Sequence, residues 1–242
     1  MTLSPNTQAR FDAAVAHRPS YAPNRETVSV LKSKAIVAFI APAAEGKSSM
    51  MLLIETLHKD FSFVTGFTTR NYETRDPDGL YAYFNSDEEM NRLLDRIEAG
   101  SVTQYVQHPT TKQLYGSFPE DYHSDYNMLD VLSGAVAGLD SLPFKKIIKI
   151  ALVSRGSEWI ARLLARYPEV SEERTKRVNE ALQCLRWTLD QPKDSLLWIE
   201  NKDGGLEEAA KKVIDLIENN QPSDDLSHFA QEMYDEALKV SL

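Results

Sequence analysis

One short polar segment of the chain carries the residue types of a phosphate-binding loop. Residues 41–49 read APAAEGKSS and lie between an apolar run and a stretch with the composition of a helix. Gly46, Lys47 and Ser48 stand where the pattern G-x-x-x-x-G-K-[ST] has its last glycine, its lysine and its hydroxyl. In such a loop, backbone amides at a helix N-terminus cradle phosphate, the lysine reaches the β and γ oxygens, and the hydroxyl coordinates Mg²⁺. The pattern therefore predicts an ATP site at Gly46, Lys47, Ser48 and Ser49, with Ser48 as the metal ligand.

The segment departs from that pattern at its alanines. Ala41 replaces the first glycine, and the tripeptide G-K-[ST] alone would occur by chance in roughly one chain in ten of this length. A Cβ in a left-handed backbone position costs energy and crowds the path of the phosphate, so Ala41 and Ala44 are unfavourable there. Either the loop has a slightly different shape or nucleotide binds more weakly. A further alternative is that Lys47 merely begins a surface helix.

A second group of residues is rich in arginine. Residues 155–177 hold six basic and four acidic side chains inside an acidic protein. Arg162 and Arg166 are four apart and share one helical face, whereas Arg174 and Arg177 are three apart and share another. Guanidinium groups that converge on a cleft could stabilise the charge on a transferring phosphoryl group. The alternative is a solvated helix whose arginines pair with the acidic side chains of the same stretch, Glu158, Glu169, Glu172 and Glu173.

Two further segments, 65–84 and 104–117, complete an ordered set of motifs. With them the chain resembles guanylate kinases over about residues 35–218. The positions that match the family's T-T-R, D-G and Y-G-[TS] elements are Thr68, Thr69, Arg70, Asp78, Gly79, Tyr115, Gly116 and Ser117. In the same comparison Arg162 and Arg166 look like the lid arginines, Arg174 to Arg177 contain the arginine of the following helix, and Asn201 with Asp203 resembles the pair that contacts adenine.

The resemblance implies a nucleoside monophosphate kinase that uses ATP and Mg²⁺. It implies catalytic roles for Lys47, Arg162, Arg166 and Arg177, and a contact between Asn201 and ATP. It also implies an acceptor site formed by Arg70, Arg75, Tyr81, Gln104, Tyr115, Ser117 and Asp140. The expected partners are small nucleotides.

The acceptor positions depart from the family in two places. Counting from T-T-R, the family's second arginine falls on Glu73, and Arg75 lies two residues further on as its replacement. Counting from D-G, the family tyrosine falls on Ala82, whereas a strand one residue shorter places Tyr81 and Tyr83 on one face. We favour the shorter strand. Cross-strand packing is as good an explanation of these tyrosines as ligand contact.

The positions that would bind the base differ from the guanylate kinase family more than the other acceptor positions do. Gln104 stands where the family has a carboxylate that accepts both guanine donors. An amide offers one acceptor and one donor, which suits a base edge of mixed polarity. Gly66 and Gly138 replace a serine and an acidic residue, while Asp140 keeps the second carboxylate. We therefore expect the acceptor to be GMP, dGMP or another nucleoside monophosphate, selected by altered base recognition.

Two other functions remain open at this point. A guanylate-kinase-like domain without activity would serve as a binding module, and it is favoured by Ala41, Ala44, Glu73, Ala82 and Gly138. Retention of Gly46, Lys47 and Ser48 counts against it, because a scaffold does not need a phosphate lysine. A P-loop hydrolase without an acceptor is less favoured, since it leaves the T-T-R region without a role.

The elements that must position these residues follow from hydrophobic patterning. Short apolar runs at 35–40, 61–64, 147–153 and 195–199 alternate with helical patterns, which is typical of an α/β domain with a parallel sheet. Residues 66–126 interrupt the alternation and predict a small antiparallel insertion with one helix at 87–97. The sequence thus predicts a P-loop kinase fold with a central parallel sheet, an acceptor-binding insertion and a helical lid at about 155–177.

The same hydrophobic patterning divides the chain into three parts. Residues 1–34 are expected to be an extension with one short helical pattern near 11–15, residues 35–218 the kinase-like domain, and 219–242 an acidic helical tail.

Composition limits the class of protein. The 242 residues are 42% apolar and carry 27 basic and 36 acidic side chains, for a net charge of −9. This excludes a disordered chain and argues against nucleic acid or a membrane surface as partner. Cys184 is the one cysteine, so no internal disulfide can form. The longest apolar run, 35–44, is too short to span a membrane, and we expect a cytoplasmic protein of open oligomeric state.

Overall fold

The computed structural model describes residues 3–72, 81–108, 111–192 and 194–241, and these form two compact units. The parallel-sheet unit consists of the described parts of 35–63, 124–137 and 146–242. The mixed-sheet unit consists of the described parts of 1–34, 64–123 and 138–145.

The helices and strands alternate along most of the chain. In chain order the α-helices are α1 (Pro5–His17), α2 (Arg25–Leu31), α3 (Lys47–Leu57), α4 (Asp87–Glu98), α5 (Val136–Asp140), α6 (Gly156–Arg166), α7 (Glu172–Leu189), α8 (Leu206–Glu218) and α9 (Ser227–Ser241). The strands are β1 (Ala35–Ile40), β2 (Phe61–Phe63), β3 (Gly66–Thr68), β4 (Tyr81–Tyr83), β5 (Gln104–Gln107), β6 (Leu114–Ser117), β7 (Tyr126–Asp130), β8 (Lys146–Val153) and β9 (Leu197–Glu200). Short 3-10 helices lie at Arg18–Ser20, Pro119–Asp121 and Ser133–Ala135.

The parallel-sheet unit has five strands in the order β2-β7-β1-β8-β9, all parallel. Every residue of β1 is buried, as expected for a central strand covered on both faces. Helices α3 and α8 pack together and share one apolar core with the sheet. The predicted α/β fold with a central parallel sheet is therefore confirmed.

Strand β7 was missed by the sequence analysis, although it lies next to β1. Its sequence, YNMLD, mixes polar and apolar residues and does not form an apolar run. Asn127 is nevertheless fully buried, because its side-chain amide donates to the backbone oxygens of Ala35 and Ser124. A buried polar side chain whose hydrogen bonds are made within the protein hides a strand from a hydrophobicity pattern.

The mixed-sheet unit has four strands in the order β4-β3-β6-β5. The β3–β6 and β5–β6 pairs are antiparallel, whereas β3 and β4 are parallel. The predicted antiparallel insertion is thus correct for two of the three strand pairs. A connection that contains the eight undescribed residues 73–80 joins β3 to β4, and it allows this parallel pairing.

Helix α4 and the N-terminal helix α1 build the core of this unit. Ser86 and Glu89 form a capping box that starts α4, and four apolar side chains of the helix are buried. In α1 the spacing of Phe11, Ala14 and Val15 creates one apolar face, which packs on the same core. The N-terminal segment therefore contains two helices and contributes to a core, where the sequence indicated only a short helical pattern.

The C-terminal helix α9 packs against both α6 and α7 within the parallel-sheet unit. Its buried side chains are Ala230, Met233 and Ala237, which lie on one face at helical spacing. The expected helical tail thus covers the two helices that carry most of the arginine-rich segment.

Candidate phosphate-binding site

The loop between β1 and α3 ends at a glycine whose conformation only glycine adopts easily. Gly46 has φ +88° and caps the N-terminus of α3. A Cβ built there would lie 2.7 Å from the side-chain nitrogen of Asn201, so a larger residue would also displace the Asn201 amide. No described side chain caps α3, which leaves its first backbone amides to a ligand.

One of the two unfavourable alanines does adopt the strained conformation. Among the described residues, the non-glycine positions with positive φ are Ala44, Lys112 and Asn220, and Ala44 has φ +66°. Ala41 lies outside that region and is buried in the core of the unit. The strain expected of the loop therefore falls on Ala44, at a cost of about 1 kcal/mol.

The side chain of Lys47 folds back over the loop. Its Nζ donates to the backbone oxygens of Ala41 at 2.5 Å and Pro42 at 3.3 Å. The same atom lies 3.7 Å from Oδ1 of Asp130, at the carboxyl end of β7. Because β7 and β1 are parallel neighbours, their carboxyl ends meet at one edge of the sheet, and Asp130 reaches the phosphate loop there.

Sequence reasoning did not find Asp130. The only signal available was an acidic residue at the end of a strand next to β1, and that strand was not recognised. A carboxylate beside the phosphate lysine is the usual complement of the P-loop hydroxyl in holding Mg²⁺.

Glu45 is a second residue that sequence reasoning missed. Its side chain is fully buried in the loop that precedes Gly46. Oε2 accepts a hydrogen bond from Ser154 Oγ at 3.0 Å and from Arg162 Nη2 at 3.3 Å, while Oε1 has no partner among the described residues. Burial raises the pKa of this carboxyl to about 8, and the opposing effects of Arg162 and Ser154 are smaller. The loop pattern leaves this position open to any residue type, so it contains no signal for a buried acid.

Two side chains from other elements hold the backbone of the loop. Asn201 donates from its amide to the Glu45 backbone oxygen at 2.7 Å, and Trp159 donates from its indole to the Ala43 oxygen at 3.0 Å. Asn201 was predicted to contact ATP, and here its amide bonds the loop. Asp203, which follows on the same connection, is largely exposed and lies 3.7 Å from Arg162 Nε.

The arginines of α6 and α7 have different surroundings. Arg162 also donates from Nη2 to Ser154 Oγ at 2.5 Å, so its guanidinium is taken up by protein acceptors. Arg177 forms ion pairs with Glu173 at 2.8 Å and Glu180 at 3.0 Å on its own helix. Arg166 lies 5.8 Å from the Tyr167 ring centroid and has no ion pair within the described part of the chain. Arg177 therefore forms ion pairs along its own helix, as the alternative interpretation of the arginine-rich segment predicted.

In the mixed-sheet unit, an arginine lies among tyrosines. The guanidinium carbon of Arg70 is 5.3 Å from the ring centroid of Tyr81 and 5.5 Å from that of Tyr83. Tyr115 on β6 adds a ring 5.7 Å from Tyr81, and His108 lies 5.9 Å from Tyr115. The structure therefore brings together three predicted acceptor residues, Arg70, Tyr81 and Tyr115, with Tyr83 beside them.

The remaining acceptor residues differ from one another in their surroundings. Gln104 on β5 pairs with Ser117 on β6, and the Ser117 hydroxyl is buried against the hydroxyl of Tyr122 at 2.7 Å. Asp140 is exposed at the end of α5. Arg75 lies outside the described residues, as do Glu73, Asp78 and Gly79.

The strand order and the Gly-Lys-Ser loop between β1 and α3 together define a P-loop NTPase-like fold. No family model matches the chain, and no curated protein sequence matches it either. Among solved structures, guanylate kinase from Anaplasma phagocytophilum is similar at 14% identity and a TM-score of 0.49, over 78% of this chain and 85% of that one. HypB from Helicobacter pylori, solved in complex with nickel, is similar at 10% identity and a TM-score of 0.33, over 90% of this chain and 98% of that one. Likeness at this level says nothing about substrate or activity.

Among the described residues, no helix combines the length and the apolar character needed to cross a bilayer. In the same residues, no three or more His, Cys, Asp and Glu side chains are grouped so that they could hold a metal ion.

Proposed function

We propose that the protein is a nucleoside monophosphate kinase that transfers the γ-phosphoryl group of ATP to a ribo- or deoxynucleoside monophosphate. The observation that carries this proposal is the geometry of the phosphate loop. Gly46 is the N-cap of α3, whose first turn has no hydrogen bond from a capping side chain, and the Lys47 ammonium lies above the loop with Asp130 beside it. A helix N-terminus with an adjacent lysine favours a bound polyphosphate.

The donor site lies in the parallel-sheet unit. Backbone amides at the start of α3 and the Lys47 ammonium would bind the ATP phosphates, with Ser49 in the same first turn. The Ser48 hydroxyl and the Asp130 carboxylate would hold Mg²⁺, because oxygen ligands with one or two carboxylates suit this ion. The ion would neutralise charge on the β- and γ-phosphate oxygens. Asn201 supports the site by fixing the loop backbone.

The acceptor site is proposed in the mixed-sheet unit. The Arg70 guanidinium matches the two oxygens of a phosphate, and the hydroxyls of Tyr81 and Tyr115 can donate to the same group. Gln104 would select a base edge that offers one donor beside one acceptor. Arg75, Ser117 and Asp140 stay in the proposed acceptor set on the strength of the family resemblance alone.

The transfer step needs positive charge around the γ-phosphate. Arg166 is the proposed source, because within the described residues no acidic group pairs with it. Arg177 would have to exchange Glu173 and Glu180 for the phosphoryl group. Catalysis would consist of positioning and charge stabilisation, as in other phosphoryl transfers.

A nucleotide-binding module without activity is the second candidate. It is favoured by Ala44, because the strained conformation of this residue destabilises the loop. It is also favoured by Arg162 and Arg177, because their guanidinium groups donate to acceptors of the protein itself. Such a module would bind a nucleotide without transferring its phosphate.

A coupled assay of ADP release separates the two candidates. The unaltered protein is mixed with Mg·ATP and, one at a time, with the common ribo- and deoxynucleoside monophosphates. The kinase proposal expects turnover that depends on one acceptor and is abolished in Lys47→Ala. The control Lys211→Ala removes an exposed lysine that pairs with Glu207, and it should retain turnover. ATP binding without turnover for any acceptor would overturn the kinase proposal in favour of the module.

A further inference from the structure

The buried carboxyl of Glu45 links three elements of the parallel-sheet unit. Glu45 belongs to the phosphate loop, Ser154 follows β8, and Arg162 belongs to α6. Oε2 of Glu45 accepts from both partners, and Arg162 Nη2 also donates to Ser154 Oγ. The three side chains thus form a closed triangle of hydrogen bonds, of which the Glu45 corner is fully buried.

The far end of this triangle is itself held in place by α9. The Ser154 amide lies 3.5 Å from the sulfur of Met233, and the Gly156 amide donates to Oε2 of Glu232 at 3.3 Å. A Cβ on Gly156 would lie 2.6 Å from the Glu232 backbone oxygen, so α9 packs directly on this segment. Ser154 therefore offers the loop a fixed anchor.

We propose that Glu45 and Arg162 form a bridge, fully buried at its Glu45 end, that fixes the phosphate loop, so that Arg162 is a positioning residue for the nucleotide site and does not contact the transferring phosphoryl group. The inference rests on the proposed function, and it changes the role that the sequence predicted for Arg162.

The burial of Glu45 is the main reason to expect that Arg162 stays where it is. If Arg162 turned towards a phosphate, the buried carboxyl would lose its cation and one of its two hydrogen bonds to Oε2. A buried polar group that is left without its partner is strongly unfavourable, in the charged and in the neutral state. On its other side Arg162 faces Asp203 at 3.7 Å and the Glu158 backbone oxygen at 3.4 Å, which also favour the docked position.

The loop that the bridge holds has glycine at only one of its special positions, Gly46. Ala41 takes the place of the first glycine, and Ala44 is strained at φ +66°. Tertiary contacts must therefore supply the restraint, and the bridge acts together with the bonds from Asn201 and Trp159 to the loop backbone.

A positioning role and a direct role predict different kinetics. A residue that shapes the loop affects ATP and ADP alike, because the loop amides bind phosphates that both nucleotides share. It raises KM and Kd more than it lowers kcat, and its effect depends on Glu45. A residue that contacts the transferring phosphoryl group lowers kcat, spares ADP binding and acts independently of Glu45.

The test compares Glu45→Ala, Glu45→Gln, Arg162→Ala and the double variant Glu45→Ala/Arg162→Ala. Calorimetry gives the Kd of ADP and of Mg·ATP, and the coupled assay gives KM and kcat. We expect Glu45→Ala and Arg162→Ala each to raise the Kd of both nucleotides about tenfold. The double variant should bind no more weakly than either single variant, because all three lose the same charged hydrogen bond. Glu45→Gln keeps an acceptor oxygen and should bind within about twofold of the unaltered protein.

Controls and opposing outcomes complete the experiment. Arg186→Ala removes an exposed arginine that pairs with Asp190 on α7, and it should change neither Kd. A lower kcat in Arg162→Ala with unchanged ADP binding would overturn the positioning role. Additive effects of Glu45→Ala and Arg162→Ala on the unfolding midpoint would overturn the bridge itself. Failure of the unaltered protein to bind either nucleotide would instead contradict the proposed function, so the two failures are distinguishable.

Discussion

Single residues decide how the phosphate loop departs from a glycine-rich one. Gly46 keeps the left-handed conformation that the loop needs at the start of α3, while Ala44 adopts a similar conformation with a Cβ in place. Ala41 has a different role, because it is part of the buried core. Substitution by glycine should therefore change the stability of the protein in opposite directions at these two positions.

Ala44→Gly should stabilise the protein. Glycine relieves the cost of a left-handed alanine, about 1 kcal/mol, and the net gain is smaller because glycine also raises the entropy of the unfolded chain. Thermal unfolding measures the change, and calorimetry should show tighter Mg·ATP binding. Ala41→Gly is the matched control, and it should lower the unfolding midpoint since it removes a buried methyl group. A lower midpoint in Ala44→Gly would contradict the assignment of strain to this residue.

Glu45 should make stability depend on pH. Its folded pKa of about 8 lies above the ordinary value of 4.5, and the charged groups that act on it are Arg162, Lys47 and Glu158. Because the folded protein keeps this proton to higher pH than the unfolded chain does, the stability should fall as pH rises from about 4.5 to about 8.

Urea unfolding at several pH values tests this dependence. The decrease in the free energy of unfolding with rising pH should be smaller in Glu45→Gln, because the glutamine side chain does not titrate. Glu207→Gln is the control, because Glu207 is exposed and pairs with Lys211 on the surface of α8. An unchanged slope in Glu45→Gln would show that other groups cause the pH dependence.

At the scale of elements, the arginine helices α6 and α7 both pack against the C-terminal helix α9. The sequence predicted the tail helix and the arginine segment separately, from the periodicity of each. Their mutual packing could not be predicted, because it depends on close contact at Gly156, which no periodic pattern reveals.

Gly156→Ala should disturb the packing of α6 against α9. The added Cβ would lie 2.6 Å from a backbone oxygen of α9, and such overpacking costs about 1–3 kcal/mol. Chemical denaturation measures the loss of stability. Gly134→Ala is the control, because a Cβ there meets nothing within 4 Å. Equal stabilities of the two variants would contradict close packing of α9 on this segment.

Residues that are adjacent in sequence were predictable, and residues that meet only through folding were not. Gly46, Lys47 and Ser48 are consecutive, so their chemistry was visible at once. Asp130 comes from a strand that was not recognised because it contains a buried asparagine, and the partners of Glu45 come from the residue after β8 and from α6. The central sheet was predicted because four of its five strands, all except β7, are apolar runs. The parallel pairing of β3 and β4 in the mixed sheet was not predicted, because the segment was interpreted as an antiparallel insertion.

At the scale of the whole molecule, the two compact units carry two chemically different sites. The parallel-sheet unit presents a phosphate loop with a lysine and a carboxylate, and the mixed-sheet unit presents an arginine among tyrosines. We propose that ATP binds at the first site and the nucleoside monophosphate at the second. Variants in one unit should therefore leave the ligand of the other unit bound.

Arg70→Ala should weaken the binding of the nucleoside monophosphate but not that of Mg·ATP. Loss of a guanidinium that binds phosphate should cost at least about tenfold in monophosphate affinity, whereas Mg·ATP affinity should stay unchanged. Calorimetry with the acceptor found in the coupled assay provides the measurement. Arg92→Ala, at an exposed position on α4, is the control. Equal weakening of both ligands in Arg70→Ala would argue against separate sites.

The proposed function depends on the loop around Lys47 binding the phosphates of ATP together with Mg²⁺. Calorimetric titration of the unaltered protein and of Lys47→Ala with ATP, in the presence and absence of Mg²⁺, tests it most directly. We predict a magnesium-dependent binding signal that disappears in Lys47→Ala and persists in Lys211→Ala. The absence of binding to the unaltered protein, or equal binding to Lys47→Ala, would contradict the account.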